Sequence, residues 1–572
     1  MDYRAEYQKW LTMFKDDQEL VSELQAIKND EKEKEDRFYT ELSFGTAGMR
    51  GVLGFGLNRM NIYNVRRATA GLAEHLKKTP GDKERGVAIA YDSRIMSEEF
   101  AKETALVLCA RGVKAYLFDA LRPVPVLSFA VRHLGCAAGV VITASHNPPE
   151  YNGYKVYGED GAQLSPAAAD SVTKAIRSIA FPDALPMDEQ TAKEKGLLTI
   201  IGCKEVDDAY VEMVKSLRVA GDLMEKEGSK LKIVYTPLHG SGNVPVRRVL
   251  KECGLDNVTV VKEQELPDGH FPTVKAPNPE DPNAFALAIP LADKVGATVI
   301  FGTDPDCDRL GVCVKDGAGI WRTLTGNQIG VLLLHHILSH LKKDGRLPKN
   351  GAVCKSIVST ELARTVCLDY GVALFDTLTG FKFIGEKIQQ FEETGEHTFL
   401  FGFEESFGFL SSTHVRDKDG VNASLLIAEA ACACMHEGIT LYDRLQEIFK
   451  RYGAWSEKVL SLTLPGKDGM AKIKHIMGSL HEKAPETVGE WRVLAVRDYL
   501  KGVRVAGDQV KKLDYVQSDV LYFELTGGHW FCIRPSGTEP KIKLYVNTKA
   551  SSMQEAEEMN KRLMDAAQKL LQ

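Results

Sequence analysis

Short β-branched or apolar runs alternate with longer stretches of helical spacing along most of this chain, and such alternation points to an α/β architecture. Residues 86–91 (GVAIAY) read as a strand, followed by a helical pattern over 97–111. Residues 113–118 read as the next strand, LRPVP as a turn, 127–134 as a helix and 138–143 (AGVVIT) as a further strand. The rhythm recurs at 232–235 (KIVY), helical 244–252, 258–261 and 298–302 (TVIFG). A third round runs from Ala352 (AVCKSIVST) through helical 361–370 to 372–375. No residue-level repeat accompanies it, yet three successive α/β units fit the pattern. Toward the end, 516–523, 529–533 and 541–545 read as strands and 554–571 as a helix, so the last segment looks α+β.

Boundaries near 204, 323 and 450 divide the chain into 1–204, 205–323, 324–450 and 451–572. Four domains suit a length of 572 residues. Residues 1–36 look helical, with Trp10, Leu11 and Phe14 at helical spacing. The run NDEKEKEDR at 29–37 reads as a solvated helix end or connector.

Composition narrows the function classes. Hydrophobic residues make up 44% and charged residues 26%, enough apolar material for several cores and too much for wholesale disorder. Lys and Arg total 72 against 78 Asp and Glu, a formal charge of -6, so no basic excess marks a nucleic-acid or membrane partner. The 11 cysteines are scattered, with no Cys-x-x-Cys; Cys432 and Cys434 are the closest pair. They read as reduced thiols of a cytosolic protein. The N-terminal MDYRAEYQKWLTMF lacks the apolar stretch of a signal peptide. The longest near-apolar run, around 425–435, falls short of the ~20 residues that span a bilayer. The expectation is a soluble, cytoplasmic, multi-domain protein.

Four segments carry chemistry. Thr143-Ala-Ser-His-Asn-Pro148 follows AGVVIT, and Pro148 and Pro149 stop any regular element there. Ser145 therefore sits on a loop at the C-terminal edge of a sheet, where α/β proteins place ligands; an ordinary turn has the same outline. No Gly-x-Ser-x-Gly elbow supports a serine hydrolase. Asp304-Pro-Asp-Cys-Asp-Arg309 follows TVIFG and sets three carboxylates at alternate positions, oxygen ligands for a hard ion, Mg²⁺ or Ca²⁺. An EF-hand is excluded, because Arg309 stands at the required Gly and Lys315 at the required Glu. Arg309 itself suggests a nearby anion.

Arg534-Pro-Ser-Gly-Thr538 combines a guanidinium, two hydroxyls and a glycine, and reads as a phosphate cradle or as a β-turn. Phe403-Glu-Glu-Ser-Phe-Gly408 suits a hydroxyl-rich ligand such as a sugar, and equally a turn. Arg50 ends the Gly-rich run Phe44-Gly-Thr-Ala-Gly-Met-Arg50, and Lys155 follows the Ser145 loop closely enough to share its site.

Together and in this order the segments resemble the α-D-phosphohexomutase superfamily over essentially the whole chain. TASHNP looks like its phosphoserine loop, DPDCDR its magnesium loop, EESFG its sugar loop and RPSGTEP its phosphate loop. The length and the ending SDVLYFELTGGHWFCIRPSGTEPK look most like the long bacterial phosphoglucomutase branch, which eukaryotic phosphopentomutase-like relatives share. Thr379-Gly380 resembles a second sugar-contacting loop. His414 and Lys418 fall where phosphoglucomutases carry positive side chains lining the cleft. Cys307 departs from the Gly, Phe or Ala of many relatives. Ser406-Phe-Gly408 replaces the Ser-Gly-His of phosphoglucosamine mutases and the shorter phosphomannomutases.

The resemblance implies a heart-shaped molecule of three similar mixed-sheet α/β domains and a C-terminal α+β domain around a central cleft. The domains carry the phosphoserine, metal, sugar and phosphate loops in turn. It implies a phosphoglucomutase that interconverts α-D-glucose 1-phosphate and glucose 6-phosphate, or alternatively one acting mainly on mannose or pentose phosphates. Ser145 would carry the phosphoryl group, and glucose 1,6-bisphosphate would be both intermediate and activator. Mg²⁺ would lie on Asp304, Asp306 and Asp308, with a phosphate oxygen on Ser145 as a further ligand. Arg50 and Arg309 would neutralise charge, and Lys155 with His146 would move protons. Glu404 and Ser406 would hold sugar hydroxyls. Arg534, Ser536, Gly537 and Thr538 would hold the phosphate that is not reacting. A phosphosugar is the expected partner, with no nucleic acid or membrane, in a monomer or homodimer.

Overall fold

The computed structural model describes residues 2–46, 48–464, 469–536 and 541–571. It divides into two compact units, Met1–Val353 with Gly380–Leu441, and Cys354–Thr379 with Tyr442–Gln572.

The first unit begins with three helices, Tyr3–Met13, Gln18–Ala26 and Glu31–Phe38. Asp2, Asp17 and Asp30 each accept backbone N–H groups as N-caps, which breaks what the periodicity suggests is one helical stretch into three. The charged run at 29–37 is accordingly more than a solvated connector. It supplies the third helix, which buries Lys34 and Phe38 and whose Arg37 pairs with Glu33 at 2.8 Å and with Glu23. Trp10 packs edge-on against Phe14, Phe38, Tyr63 and Phe181.

The first sheet comprises β1 (Met49–Val52), β2 (Val87–Tyr91), β3 (Ala115–Phe118), β4 (Ala138–Ile142), β5 (Tyr151–Gly158) and β6 (Leu198–Ile201), in the order β1-β5-β4-β2-β3-β6. Strands β4, β2, β3 and β6 run parallel, as the βα rhythm requires; β5 is antiparallel to both of its neighbours, β4 and β1. Strand β5 is invisible to the pattern because Asn152-Gly153 looks like a turn. The glycine is there for space: a Cβ would stand 2.5 Å from Thr143 O and 2.9 Å from Met49 O on the flanking chains.

The second sheet comprises β7 (Ile233–Thr236), β8 (Val258–Val260), β9 (Val299–Thr303), β10 (Leu310–Lys315) and β11 (Trp321–Thr323), in the order β11-β10-β9-β7-β8. Thr303 pairs with Leu310, so the acidic segment closes the β9–β10 hairpin. Next come β12 (Gly351–Ser356), β13 (Ala373–Thr377), β14 (Thr398–Glu404) and β15 (Gly408–Leu410). Glu404 pairs with Gly408, which makes EESFG another hairpin turn.

The second unit carries β16 (Ala454–Thr463), β17 (Thr487–Val488), β18 (Trp491–Asp498), β19 (Val503–Ala506), β20 (Gln509–Lys512), β21 (Leu521–Leu525), β22 (Trp530–Pro535) and β23 (Lys541–Ala550). The sheet order is β16-β23-β22-β21-β18-β19-β20, with β17 on β18. Helices Gly469–Glu482 and Met553–Gln568 accompany it, and the core holds Met477, Phe523, Phe531, Ile533, Leu544 and Leu563. The strand expected over 516–523 begins only at Leu521. Among the described residues no single helix is long and apolar enough to cross a membrane.

Candidate active site

Ser145 lies three residues beyond the end of β4, 3% exposed, with a left-handed φ of 52°. Its N–H donates to Thr143 Oγ1 at 2.8 Å, and its hydroxyl donates to Asp304 Oδ2 at 2.7 Å. His146 Nδ1 is 3.2 Å from the same hydroxyl. Burial, then the nearby Arg309 and Arg50, hold the His146 imidazole well below its ordinary pKa, so the ring is neutral. Arg50, on β1, donates to Asn147 Oδ1 at 2.9 Å.

The acidic turn brings Asp304, Asp306 and Asp308 together, all buried, with one oxygen of each within 4.8 Å of the others. Burial and the neighbouring Asp306 push the Asp304 carboxyl well up. Burial also opposes ionisation of Asp306, but Lys155 overrides it and holds that group below the usual range. Lys155, on β5, is 2.9 Å from Asp306 and 3.9 Å from Asp308. Lys418 approaches Asp308 at 3.2 Å and is held by Asp417 at 2.9 Å. Asp306 Oδ1 and Asp308 Oδ1 are buried with no hydrogen-bond partner. Three convergent carboxylates with two such orphaned oxygens fit a hard cation, and the cluster can hold a metal ion. Cys307 does not share it: its thiol packs where a Cβ on Gly242 would stand 2.8 Å away, and burial pushes its pKa well up.

The sugar-loop hairpin abuts the same place, with Leu310 N–H donating to Phe407 O at 3.1 Å. Glu404 is buried and accepts the Gly380 N–H at 2.7 Å; burial and the adjacent Glu405 push its carboxyl up to about 7. Ser406 sits in the turn, half-buried. His414 is exposed, and its N–H donates to Ser412 Oγ at 2.9 Å. Arg309 turns its guanidinium to Glu280, an ion pair that the sequence reading did not anticipate.

Thr379 belongs to the second unit. So do Arg534, at the end of β22, and Ser536, whose N–H donates to the carbonyl of Lys541, the first residue of β23, at 2.7 Å. Gly537 and Thr538 lie outside the described residues.

Models of the phosphoglucomutase/phosphomannomutase α/β/α domains I, II and III match residues 41–183, 208–317 and 325–452, and the model of the family's C-terminal domain matches 492–566. The chain belongs to the phosphoglucomutase/phosphomannomutase family. A phosphoglucomutase of Staphylococcus haemolyticus (strain JCSC1435) is 37% identical over 527 residues, 91% of this chain and 93% of that protein. One from Staphylococcus epidermidis (strain RP62A) is 38% identical over 533 residues, 93% and 95% of the two chains. The Paramecium phosphoglucomutase pp63/parafusin shares the fold with a TM-score of 0.67 at 17% identity, covering 93% of this chain and 96% of that one.

In this member of the family the loop around Ser145 rests on residues that motif reading passed over. Arg94, two residues beyond Asp92, is 3% exposed. Its guanidinium donates to Ser145 O (2.6 Å), Pro148 O (2.9 Å), Tyr151 O (2.9 Å) and Asn147 O. Asp92 accepts from Thr143 Oγ1 at 2.6 Å, from Ser97 Oγ at 2.7 Å and from Arg94 N at 2.9 Å. Ser145 is thus fixed at its N–H through Thr143 and at its carbonyl through Arg94. The available signal was Tyr91-Asp-Ser-Arg94 itself, two charges placed directly after an all-apolar strand.

Proposed function

We propose that this chain interconverts α-D-glucose 1-phosphate and glucose 6-phosphate through a phosphoryl group carried on Ser145. The observation that carries the reading is the Ser145 hydroxyl 2.7 Å from Asp304 Oδ2, beside two further buried aspartates. The relatives of 37% and 38% identity, both named phosphoglucomutase, support the choice of sugar.

In the forward direction the Oγ–P bond of phosphorylated Ser145 breaks as the phosphorus bonds to the free 6-hydroxyl of glucose 1-phosphate, giving glucose 1,6-bisphosphate. The hydroxyl's proton is assigned to Lys155 or to His146, whose neutral ring lies 3.2 Å from the Ser145 hydroxyl. The bisphosphate then reorients, and Ser145 recovers the phosphoryl group from the 1-position. We assign Mg²⁺ to Asp304, Asp306 and Asp308; when bound it supplies positive charge against the oxygens of the transferring group. Arg50 and Lys418 add fixed positive charge around it. Glu404 and Ser406, with Thr379 and Gly380, are assigned to the sugar hydroxyls. His414 is assigned to the rim of the cleft, and Arg309 to the phosphoryl group, for which it must leave Glu280. Arg534, Ser536, Gly537 and Thr538 are assigned to the phosphate that is not reacting.

The test is a coupled assay across glucose, mannose and ribose 1-phosphates with glucose 1,6-bisphosphate present. The reading requires glucose 1-phosphate to give the highest kcat/KM. A higher value for mannose or ribose 1-phosphate would reassign the substrate, and steady release of inorganic phosphate would reassign the reaction.

A further inference from the structure

The backbone of the buried acidic loop is held in an unusual way. Three successive carbonyls are each taken by a different segment. Pro305 O accepts from Ser241 N–H at 2.8 Å and from Ser241 Oγ at 2.7 Å. Asp306 O accepts from Val124 N–H at 2.9 Å, and Cys307 O from Gly420 N–H at 3.0 Å. Val124 and Gly420 are the first residues of helices Val124–His133 and Gly420–His436, and Ser241 lies just before helix Asn243–Glu252. One comes from each α/β domain of the family: 124 from I, 241 from II, 420 from III.

Backbone N–H groups at helix starts lack intrahelical acceptors and carry the positive end of the helix dipole. They are therefore suited to a loop that bears three carboxylates. The fit is close. A Cβ on Gly420 would stand 2.7 Å from Cys307 O, and one on Gly240 would stand 2.5 Å from Pro305 Cα. Helix Gly420–His436 is itself held in register, since its N-cap Asp419 receives the Tyr210 hydroxyl at 2.8 Å.

We propose that these two helix starts, with Ser241 in the turn before a third helix, position the acidic loop, so that its affinity for a divalent cation depends on the docking of all three α/β domains. Gly420 and Ser241 are then positioning residues that act through the loop and touch neither sugar nor phosphate. By linkage, a bound cation must in turn stabilise the docked arrangement. The inference rests on assigning a divalent cation to Asp304, Asp306 and Asp308.

The experiment titrates full-length wild type, Gly420→Ala and Ser241→Ala with Mn²⁺ and reads the free ion by electron paramagnetic resonance. Gly420→Ala should bind Mn²⁺ about tenfold or more weakly, because the methyl group displaces the Cys307 carbonyl. Ser241→Ala loses one neutral hydrogen bond and should bind about threefold to tenfold more weakly. In both, excess metal should restore kcat with the KM for glucose 1-phosphate unchanged, which a general loss of structure would not allow. A folded Gly420→Ala protein with wild-type Mn²⁺ affinity would overturn the proposal. Should that variant not fold, wild-type affinity in Ser241→Ala would overturn it instead. Failure of the wild type itself to bind Mn²⁺ would remove the metal assignment on which the proposal rests.

Discussion

The serine loop and the acidic loop both leave the C-terminal end of a strand and both are buried, yet they are held by opposite means. The serine loop hangs on side chains of its own domain. Arg94 gathers four of its carbonyls, and Asp92 fixes Thr143 under Ser145. The acidic loop hangs chiefly on backbone N–H groups drawn from three domains, joined by the Ser241 hydroxyl. The difference suits the charge each carries. A serine proposed to gain and lose about -1.5 to -2 units of charge sits over a permanent guanidinium that cannot titrate away. A cation-binding turn needs geometry more than charge, and close-fitting backbone supplies it.

The sharpest break in that comparison should come at the carboxylates. Asp306→Asn should abolish Mg²⁺-dependent activity and Mn²⁺ binding together. Cys307→Ser should leave Mn²⁺ affinity within about threefold, because the thiol points at Gly242 and soft ligands are not used here. Equal losses in the two variants would mean that the loop does not bind through oxygen alone.

Next in size is Arg94→Met. It strands buried carbonyls and leaves Asp92 without its countercharge, so unfolding free energy should fall by about 3–5 kcal/mol in a urea titration. Arg94→Lys keeps the charge but reaches fewer carbonyls, and should lose less. Unchanged stability in Arg94→Met would show that the clamp is not what holds Ser145.

How far these loops were legible in the sequence follows from how each is built. Asp304, Asp306 and Asp308 were readable because ligands at alternate positions on one turn converge by local geometry alone. Ser145 was readable from its strand and the prolines behind it. Arg94 was not, because its four acceptors are backbone atoms without a side-chain signature. The grip of Val124 and Gly420 was not, because any residue has an N–H. Strands β2, β4, β7 and β9 were visible as apolar runs. Strands β16, β18, β19 and β20 were passed over because polar residues interrupt their apolar ones, most clearly in Gln509–Lys512, which is exposed throughout. Glu280 shows the same limit, since its partnership with Arg309 is a tertiary contact between segments with no common motif.

A pH effect of intermediate size belongs to Glu404. Its carboxyl titrates near 7 in the ligand-free fold, and near 4.3 when unfolded. The folded chain therefore binds more protons than the unfolded chain across that interval. Stability of the ligand-free protein should fall by up to about 3 kcal/mol as pH rises from about 4.5 to 7. Glu404→Gln should flatten that part of the profile, measured as urea midpoints against pH. An unchanged slope would place the titrating group elsewhere.

The smallest expected effect is at Arg534. Arg534→Ala should weaken both glucose 1-phosphate and glucose 6-phosphate by about tenfold to a hundredfold, the loss of one charge-assisted contact. Isothermal titration of both ligands checks the symmetry. A strong effect on one and none on the other would limit the cradle to one orientation.

The proposed reaction depends above all on Ser145 carrying the phosphoryl group. Its most direct measurement is peptide mass analysis after incubating wild type and Ser145→Ala with glucose 1,6-bisphosphate and Mg²⁺, with turnover assayed in parallel. The wild-type peptide containing Ser145 should carry one phosphoryl group and the variant none, and the variant should show no turnover. A Ser145→Ala protein that still interconverts the two monophosphates, or a wild-type adduct on another residue, would contradict it.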